Sequence, residues 1–255
     1  MRTLLVDVGN TSTAVGLSRG RRVAHVLHID RGDGYRRRAE RALAALVRRG
    51  GPIGGAALAS VVPGLTPFWV RALRSACGGP PVVVCHTLAL GVRVDYPAPE
   101  TIGADRLANA CGAAARYGTP VIVADFGTAV TFDLVYGGGV YRGGIIAPGL
   151  PLMTDYLAER TALLPWIRLK GPHGPIGRST VTAMRLGAKI GYRGMVKEIT
   201  RYLLSLPGLE RARLCATGGF AGWVLEGIDL PYVLDPDLTL FGLGRIYALN
   251  RPPRA

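Results

Sequence analysis

The sequence predicts a duplicated α/β architecture: two copies of one unit, each a mixed sheet flanked by helices. Two observations carry that prediction. An apolar run ending in an acid, a glycine and a hydroxyl residue occurs twice, as LLVDVGNT at 4–11 and VIVADFGT at 121–128. Each run opens the same series of patterns: strand, strand, strand, helix, strand, helix. Asp7 and Asp125 stand 118 residues apart, too far for a solenoid repeat. The copies are therefore expected as two domains, residues 1–117 and 118–255, with a ligand cleft between them.

In the first copy, residues 3–8 form a short apolar run that reads as a buried strand. Gly9 and Asn10 turn the chain. Residues 11–17 alternate as a second strand, and 21–29 read as a third. A helix is expected over about 35–49, with Ala39, Leu43, Leu46 and Val47 inward and Gly50-Gly51 as its stop. Residues 56–63 are a strand ended by Pro63, 67–77 a helix and 82–85 a strand. Pro97 and Pro99 mark a loop, and 103–118 reads as a small-residue helix with Gly118 past its end. The second copy runs through strands at 121–127, 128–136 and 139–148, a helix from about 150 to 162, and a long helix from about 180 to 205. A strand at 213–219, a helix near 220–226, a strand near 231–234 and a helix near 239–249 complete it.

Composition narrows the function classes. The chain has 255 residues, 49% of them hydrophobic, too apolar for a disordered protein. No apolar run approaches the ~18 residues of a membrane-spanning helix, and the opening stretch meets Asp7 too early for a secretory signal. Cys77, Cys85, Cys111 and Cys215 form no CxxC pair, and His25, His28, His86 and His173 are dispersed, so no zinc site is expected from spacing. A cytoplasmic protein is expected. The formal charge is +14, with 31 basic and 17 acidic residues, which raises a nucleic-acid partner. No helix-turn-helix or RNA-binding signature accompanies it. Arg36–Arg38 fall on the solvent face of the 35–49 helix, so attraction of anionic substrates is the preferred reading and nucleic acid is not expected.

A strand that ends in Asp, then Gly, then hydroxyl residues has a definite use. The strand end fixes the carboxylate, Gly9 lets backbone N–H groups approach a phosphate, and Thr11 and Ser12 add hydroxyls. A bare phosphate would be repelled by Asp7, so a Mg²⁺ ion or an ordered water is expected between them. Asp125, Gly127 and Thr128 repeat the pattern. Asp105 and Arg106, at a predicted helix start, serve either as a cap or as a general base beside an anion-binding side chain. Tyr96, in the preceding loop, offers a phenol. Ala216-Thr217-Gly218-Gly219 is a strand-to-helix turn that a base or ribose could approach. No GxxxxGK[ST] loop, HExxH or GxSxG occurs.

These stretches, in order, resemble the type III pantothenate kinase family, within the superfamily of acetate and sugar kinases, heat-shock ATPases and actin. The matching text is LLVDVGNTSTAVGL (4–17), ASVVP (59–63), TIGADRLANA (101–110), VIVADFGTAVTFDLV (121–135), YRGGIIAPGL (141–150), Leu164-Pro165, PIGRSTVTAMRLG (175–187) and ATGGFA (216–221). The resemblance implies two duplicated ribonuclease-H-like domains of actin-like ATPase type. It also implies ATP-dependent phosphorylation of pantothenate to 4'-phosphopantothenate, the first step toward coenzyme A. On that basis Asp7, Val8, Gly9, Asn10, Thr11, Ser12, Thr13 and Ala14 form the phosphate loop, and Thr128 touches ATP. Asp105 is the proton acceptor. Tyr96, Gly103, Ala104, Asp105, Arg106 and Thr180 form the pantothenate site, and Asp125 holds a monovalent cation, K⁺ or NH₄⁺. A homodimer is implied. The alternatives are a transcriptional accessory or DNA-associated protein, or a kinase of another hydroxy acid, on the same scaffold.

Overall fold

The structure, a computed structural model, describes residues 2–171 and 174–251; His173 lies outside them. Strands β1 (Arg2–Val8), β2 (Ser12–Arg19) and β3 (Arg22–Asp30) pair antiparallel in series. Helix α1 (Tyr35–Gly50) leads to β4 (Ile53–Ser60), parallel to β1, and helix α2 (Thr66–Cys77) leads to β5 (Val82–Val83), parallel to β4. After β6 (Arg93–Val94) and α3 (Ala104–Tyr117), the series restarts with β7 (Val121–Phe126), β8 (Ala129–Tyr136) and β9 (Val140–Pro148). Then come α4 (Asp155–Arg160), α5 (Thr180–Leu204), β10 (Arg213–Thr217), α6 (Ala221–Leu225), β11 (Tyr232–Leu234) and α7 (Leu238–Asn250).

The first sheet has the order β3-β2-β1-β4-β5. The second repeats it as β9-β8-β7-β10-β11, with β6 added beyond β9. The same permutation twice is the topological counterpart of the repeated acid-glycine-hydroxyl text. The chain forms two compact units: Met1–Val121 with Asp133–Gly143 and Asp237–Ala255, and Ile122–Phe132 with Gly144–Pro236.

In the first unit, β1 is buried on both faces because its apolar residues do not alternate; Leu4, Leu5, Val6 and Val8 are all buried. Helix α1 turns Tyr35, Ala39, Leu43 and Leu46 inward, at the helical period, and leaves Arg36–Arg38 exposed. Beneath it, the Tyr35 hydroxyl is shared by Thr13 Oγ1 at 2.5 Å and Trp69 Nε1 at 3.0 Å, which satisfies three buried polar groups at once. The small residues of α3 serve close packing. A Cβ on Gly112 would stand 2.8 Å from Leu238 O, and one on Gly242 would collide with Ala108 O. Thr239 Oγ1 donates to Asn109 Oδ1 across the same contact at 2.8 Å. The last helix thus locks backbone to backbone onto α3, which fixes the start of α3.

Three elements differ from expectation. The stretch at 150–162 is a 3₁₀ turn (Leu150–Met153) followed by the short α4. Thr154 Oγ1 bonds Pro151 O and Asp155 Oδ1, a local competition that breaks a helix. The strand at 82–85 has only two residues in the sheet, at its edge. The loop around Pro97 is preceded by β6, whose two residues are too few to show a period; it pairs parallel with Val140 and Tyr141. Among the described residues no helix is long and apolar enough to cross a membrane.

Candidate active site

The start of α3 carries the most unusual chemistry in the first unit. Asp105 lies in the first turn, and its Oδ1 accepts the Arg106 main-chain N–H at 2.8 Å. The carboxylate folds back over Gly103: a Cβ there would sit 2.5 Å from Oδ1 and 3.4 Å from Val61 Cγ1. Gly103 has an ordinary φ of −57°, so glycine is required by close approach and not by torsion. Val61 donates its N–H to Val8 O at 3.1 Å, which ties the start of α3 to the end of β1. Burial pushes the Asp105 carboxyl above its usual range, against the pull of the Arg106 N–H and charge. A helix N-terminus ordinarily favours the ionised form; here loss of solvent outweighs it.

The Arg106 side chain turns away to a second acid. Its Nε donates to Asp133 Oδ1 at 2.8 Å, and the Tyr141 hydroxyl donates to the same oxygen at 2.9 Å. Asp133 is fully buried and the Arg106 side chain is 11% exposed. Burial pushes the Asp133 carboxyl up to about 6, with Arg106 and the Tyr141 hydroxyl opposing. Burial also works against the Arg106 charge, but Asp133 and Tyr141 more than offset it, and its pKa is raised. The Arg106 guanidinium lies 6.0 Å from the Tyr141 ring centre. Tyr96 joins the group through β6: Asp95 N–H donates to Tyr141 O at 2.9 Å, and a Cβ on Gly143 would lie 2.7 Å from Tyr96 Cε2. Tyr96 is close enough to bear on the charges of both Arg106 and Tyr141.

The structure therefore gathers Tyr96, Gly103, Ala104, Asp105 and Arg106 in one cluster. Sequence spacing alone does not point to Asp133 and Tyr141. The available signal was an acid inside the apolar strand TFDLVY, which no buried strand tolerates without a partner.

The 7–14 segment is a tight turn from β1 to β2. Gly9 N–H donates to Ser12 O at 3.0 Å, and Thr11 O accepts Arg31 N–H at 2.9 Å. Arg31 Nε adds a bond to Asn10 O at 3.3 Å. Asp7 is half-buried, Asn10 and Thr11 are exposed, and Ala14 pairs with Asp7 across the hairpin. The Thr13 hydroxyl is committed to Tyr35 in the core, and its backbone lies in register with Val8 of β1 and Ile29 of β3.

In the second unit, the turn after β7 is one residue shorter: Gly127 N–H donates to Ala129 O at 3.0 Å. Asp125 is half-buried, and a Cβ on Gly218 would lie 2.6 Å from its Oδ1 and from Phe126 N and O. Gly218 has φ +93°, so both torsion and space select glycine there. Gly149 packs against the Thr128 and Gly127 carbonyls in the same way. Thr180 is the exposed first residue of α5, after a capping box in which Ser179 Oγ accepts Thr182 N–H at 3.3 Å. Among the described residues no group of three His, Cys, Asp or Glu could hold a metal ion.

Comparison with known proteins gives these residues a context. A family model described as type III pantothenate kinase matches residues 3–202. A type III pantothenate kinase from Akkermansia muciniphila is 53% identical over 170 residues, 65% of this chain and 70% of that one. One from Dehalococcoides mccartyi is 36% identical over 257 residues, 98% of each chain. Among solved structures, a conserved candidate Baf family transcriptional activator from Campylobacter jejuni aligns with TM-score 0.61 at 17% identity, over 97% of this chain and 98% of that one. Component A of (R)-2-hydroxyglutaryl-CoA dehydratase from Acidaminococcus fermentans aligns with TM-score 0.55 at 13% identity, over 98% and 96%. At such identities the likeness is one of fold alone, the actin-like ATPase fold with mixed sheets flanked by helices.

Proposed function

The chain belongs to the type III pantothenate kinase family and phosphorylates pantothenate with ATP in coenzyme A biosynthesis, and from that premise we propose how its residues divide the work. Asp105 takes the proton of the acceptor hydroxyl as it attacks the γ-phosphorus of ATP. The observation that carries this is the Asp105 carboxylate itself, half-buried and folded over Gly103 with a raised pKa. A base is most effective when its pKa nears the working pH, and burial moves Asp105 in that direction. Phosphoryl transfer needs little else from the protein beyond position and charge.

Arg106 and Tyr96 orient pantothenate, with Gly103 and Ala104 shaping the pocket, and Thr180 is proposed as a further pantothenate contact. Asp133 is a positioning residue: it holds the Arg106 fork through Nε. The turn Asp7–Ala14 receives the phosphates, and Thr128 touches ATP. Asp7, with the exposed or half-buried hydroxyls of Thr11 and Ser12, offers hard oxygen donors of the kind Mg²⁺ accepts while keeping its waters. A Mg²⁺ ion held there would supply positive charge against the phosphates. Asp125 supplies one carboxylate near the Phe126 carbonyl, oxygen donors suited to an ion of low charge, K⁺ or NH₄⁺.

The division 1–117 and 118–255 is proposed as the boundary of the two copies, and the repeated strand order supports it. A homodimer is proposed because the second unit exposes many large apolar side chains, among them Leu163 (91%), Ile176 (73%) and Trp166 (63%). A cytoplasmic location is proposed, as expected from the sequence.

ADP release, followed with ATP and Mg²⁺, tests the reading. Release is expected to require pantothenate and to fall when K⁺ and NH₄⁺ are replaced by a bulky organic cation. Release driven only by another hydroxy acid, or indifferent to the monovalent ion, overturns the corresponding assignment.

A further inference from the structure

A second hollow lies in the first unit, built by residues that the reaction does not use. It has a volume of about 300 Å³ and is lined by α3 (Cys111, Ala114, Ala115), the loop after it (Gly118, Thr119), and α7 (Arg245, Leu249), with Gly91 and Gly139 completing it. Its walls are small residues, so the space is not filled from inside. No acid lines it. Arg245 does, and its Nε is buried without a hydrogen-bond partner among the described residues. A guanidinium carries five donors, and a buried one left unpaired is costly.

Two further observations define what would pair with it. The Cys111 thiol faces the hollow, close enough to feel the Arg245 charge, and burial pushes it up to about 12. It is therefore a neutral S–H and neither a thiolate partner for Arg245 nor a nucleophile. Arg21 donates to Ala115 O at 3.2 Å and brings a second cation against a lining residue. The C-terminal end of α3 contributes about half a negative charge, less than the two whole positive charges beside it. The hollow is thus an electropositive recess with an unsatisfied planar donor. At about 30 Å³ per water-sized group it has room for a ligand of about ten non-hydrogen atoms.

We propose that this recess binds a small oxyanion, a carboxylate or phosphate group, which accepts hydrogen bonds from the Arg245 guanidinium with Thr119 and the Cys111 S–H beside it. The ligand would rest on the last turns of α3, the helix whose first turn carries Asp105 and Arg106. The site neither includes nor requires the residues assigned to catalysis.

The test uses the whole protein with a non-hydrolysable ATP analogue and pantothenate at saturation, so that the phosphate turn and Arg106 are occupied. Inorganic phosphate and succinate are titrated separately, by calorimetry and by thermal shift. Saturable binding of either probe is expected below about 50 mM, and Arg245→Met is expected to weaken it at least about tenfold, as loss of a charge-assisted hydrogen bond does. Ala115→Leu, which keeps the charge and fills the space, is expected to abolish binding while pantothenate kinase turnover stays unchanged; it decides the matter if Arg245→Met does not fold. Phosphate binding alone assigns a phosphate-bearing ligand, and succinate binding alone a carboxylate. No saturable binding of either, or binding that survives both variants, overturns the proposal.

Discussion

Two carboxylates, one half-buried and one fully buried, share one arginine, and they use it differently. Asp105 accepts the main-chain N–H of Arg106; Asp133 accepts its side chain. The first bond costs Arg106 nothing in freedom, because a helix amide is fixed already. The second fixes three otherwise mobile side-chain torsions. Burial raises both carboxyls, but Asp133 has a guanidinium and a phenol on a single oxygen, whereas the bonds named for Asp105 are main-chain amides. A carboxylate held by amides keeps a lone pair available for a substrate proton; one gripped by two side chains is spent on geometry. The arginine links them, so a change in the second acid should be felt in binding and a change in the first in chemistry.

The largest expected effect separates the two roles. Asp105→Asn keeps size and hydrogen-bonding shape and removes basicity. The turnover number is expected to fall by about 10²–10⁴, the contribution of a positioned base, with the KM for pantothenate nearly unchanged. Near-normal turnover would falsify the base assignment.

Asp133→Ala comes next. It leaves Arg106 and Tyr141 without their acceptor, and breaking a buried ion pair from one side typically costs about 3–5 kcal/mol of stability. The KM for pantothenate is expected to rise about tenfold or more as the fork loses its anchor, with a smaller change in turnover number. Asp133→Asn restores an acceptor oxygen and should recover most of both. If Asp133→Asn restores the melting temperature but leaves KM unchanged from Asp133→Ala, the residue supports the fold only and does not position Arg106.

The phosphate turn and the duplication were legible because both are local. The acid, glycine and hydroxyls of 7–12 lie within one turn, and the shorter copy at 125–128 already showed a missing residue, which emerges as a Gly127-to-Ala129 bond in place of Gly9-to-Ser12. The glycines that press on the second turn, Gly149 and Gly218, read only as turn residues, because what they approach is distant in sequence. Asp133 escaped for the same reason: its partner is 27 residues earlier, and a strand period records which face a residue takes but not what waits there. Apolar spacing at 150–162 predicts a helix, but Thr154 competes locally for the backbone in a way that spacing does not capture.

The smallest effect concerns pH and sharpens the same contrast. The Asp133 carboxyl is raised by burial from 3.8 to about 6 in the folded chain. Between those values the native state holds its proton more tightly than the unfolded state does. Its contribution to stability is therefore full at the acid end and is lost as pH rises through about 6. Relative to Asp133→Asn, the wild type should lose stability from about pH 4 to pH 6, with a slope of at most about 1.4 kcal/mol per pH unit, read from urea midpoints. Binding follows the opposite logic, because Arg106 is gripped best by the ionised acid. The KM for pantothenate should rise a few-fold on acidification through about 6 in the wild type, and stay flat in Asp133→Asn. The fall in turnover number that protonation of Asp105 imposes should persist in that variant. If one substitution removed both acid limbs, the two carboxylates would be titrating as a single unit, and their division into chemistry and geometry would be wrong.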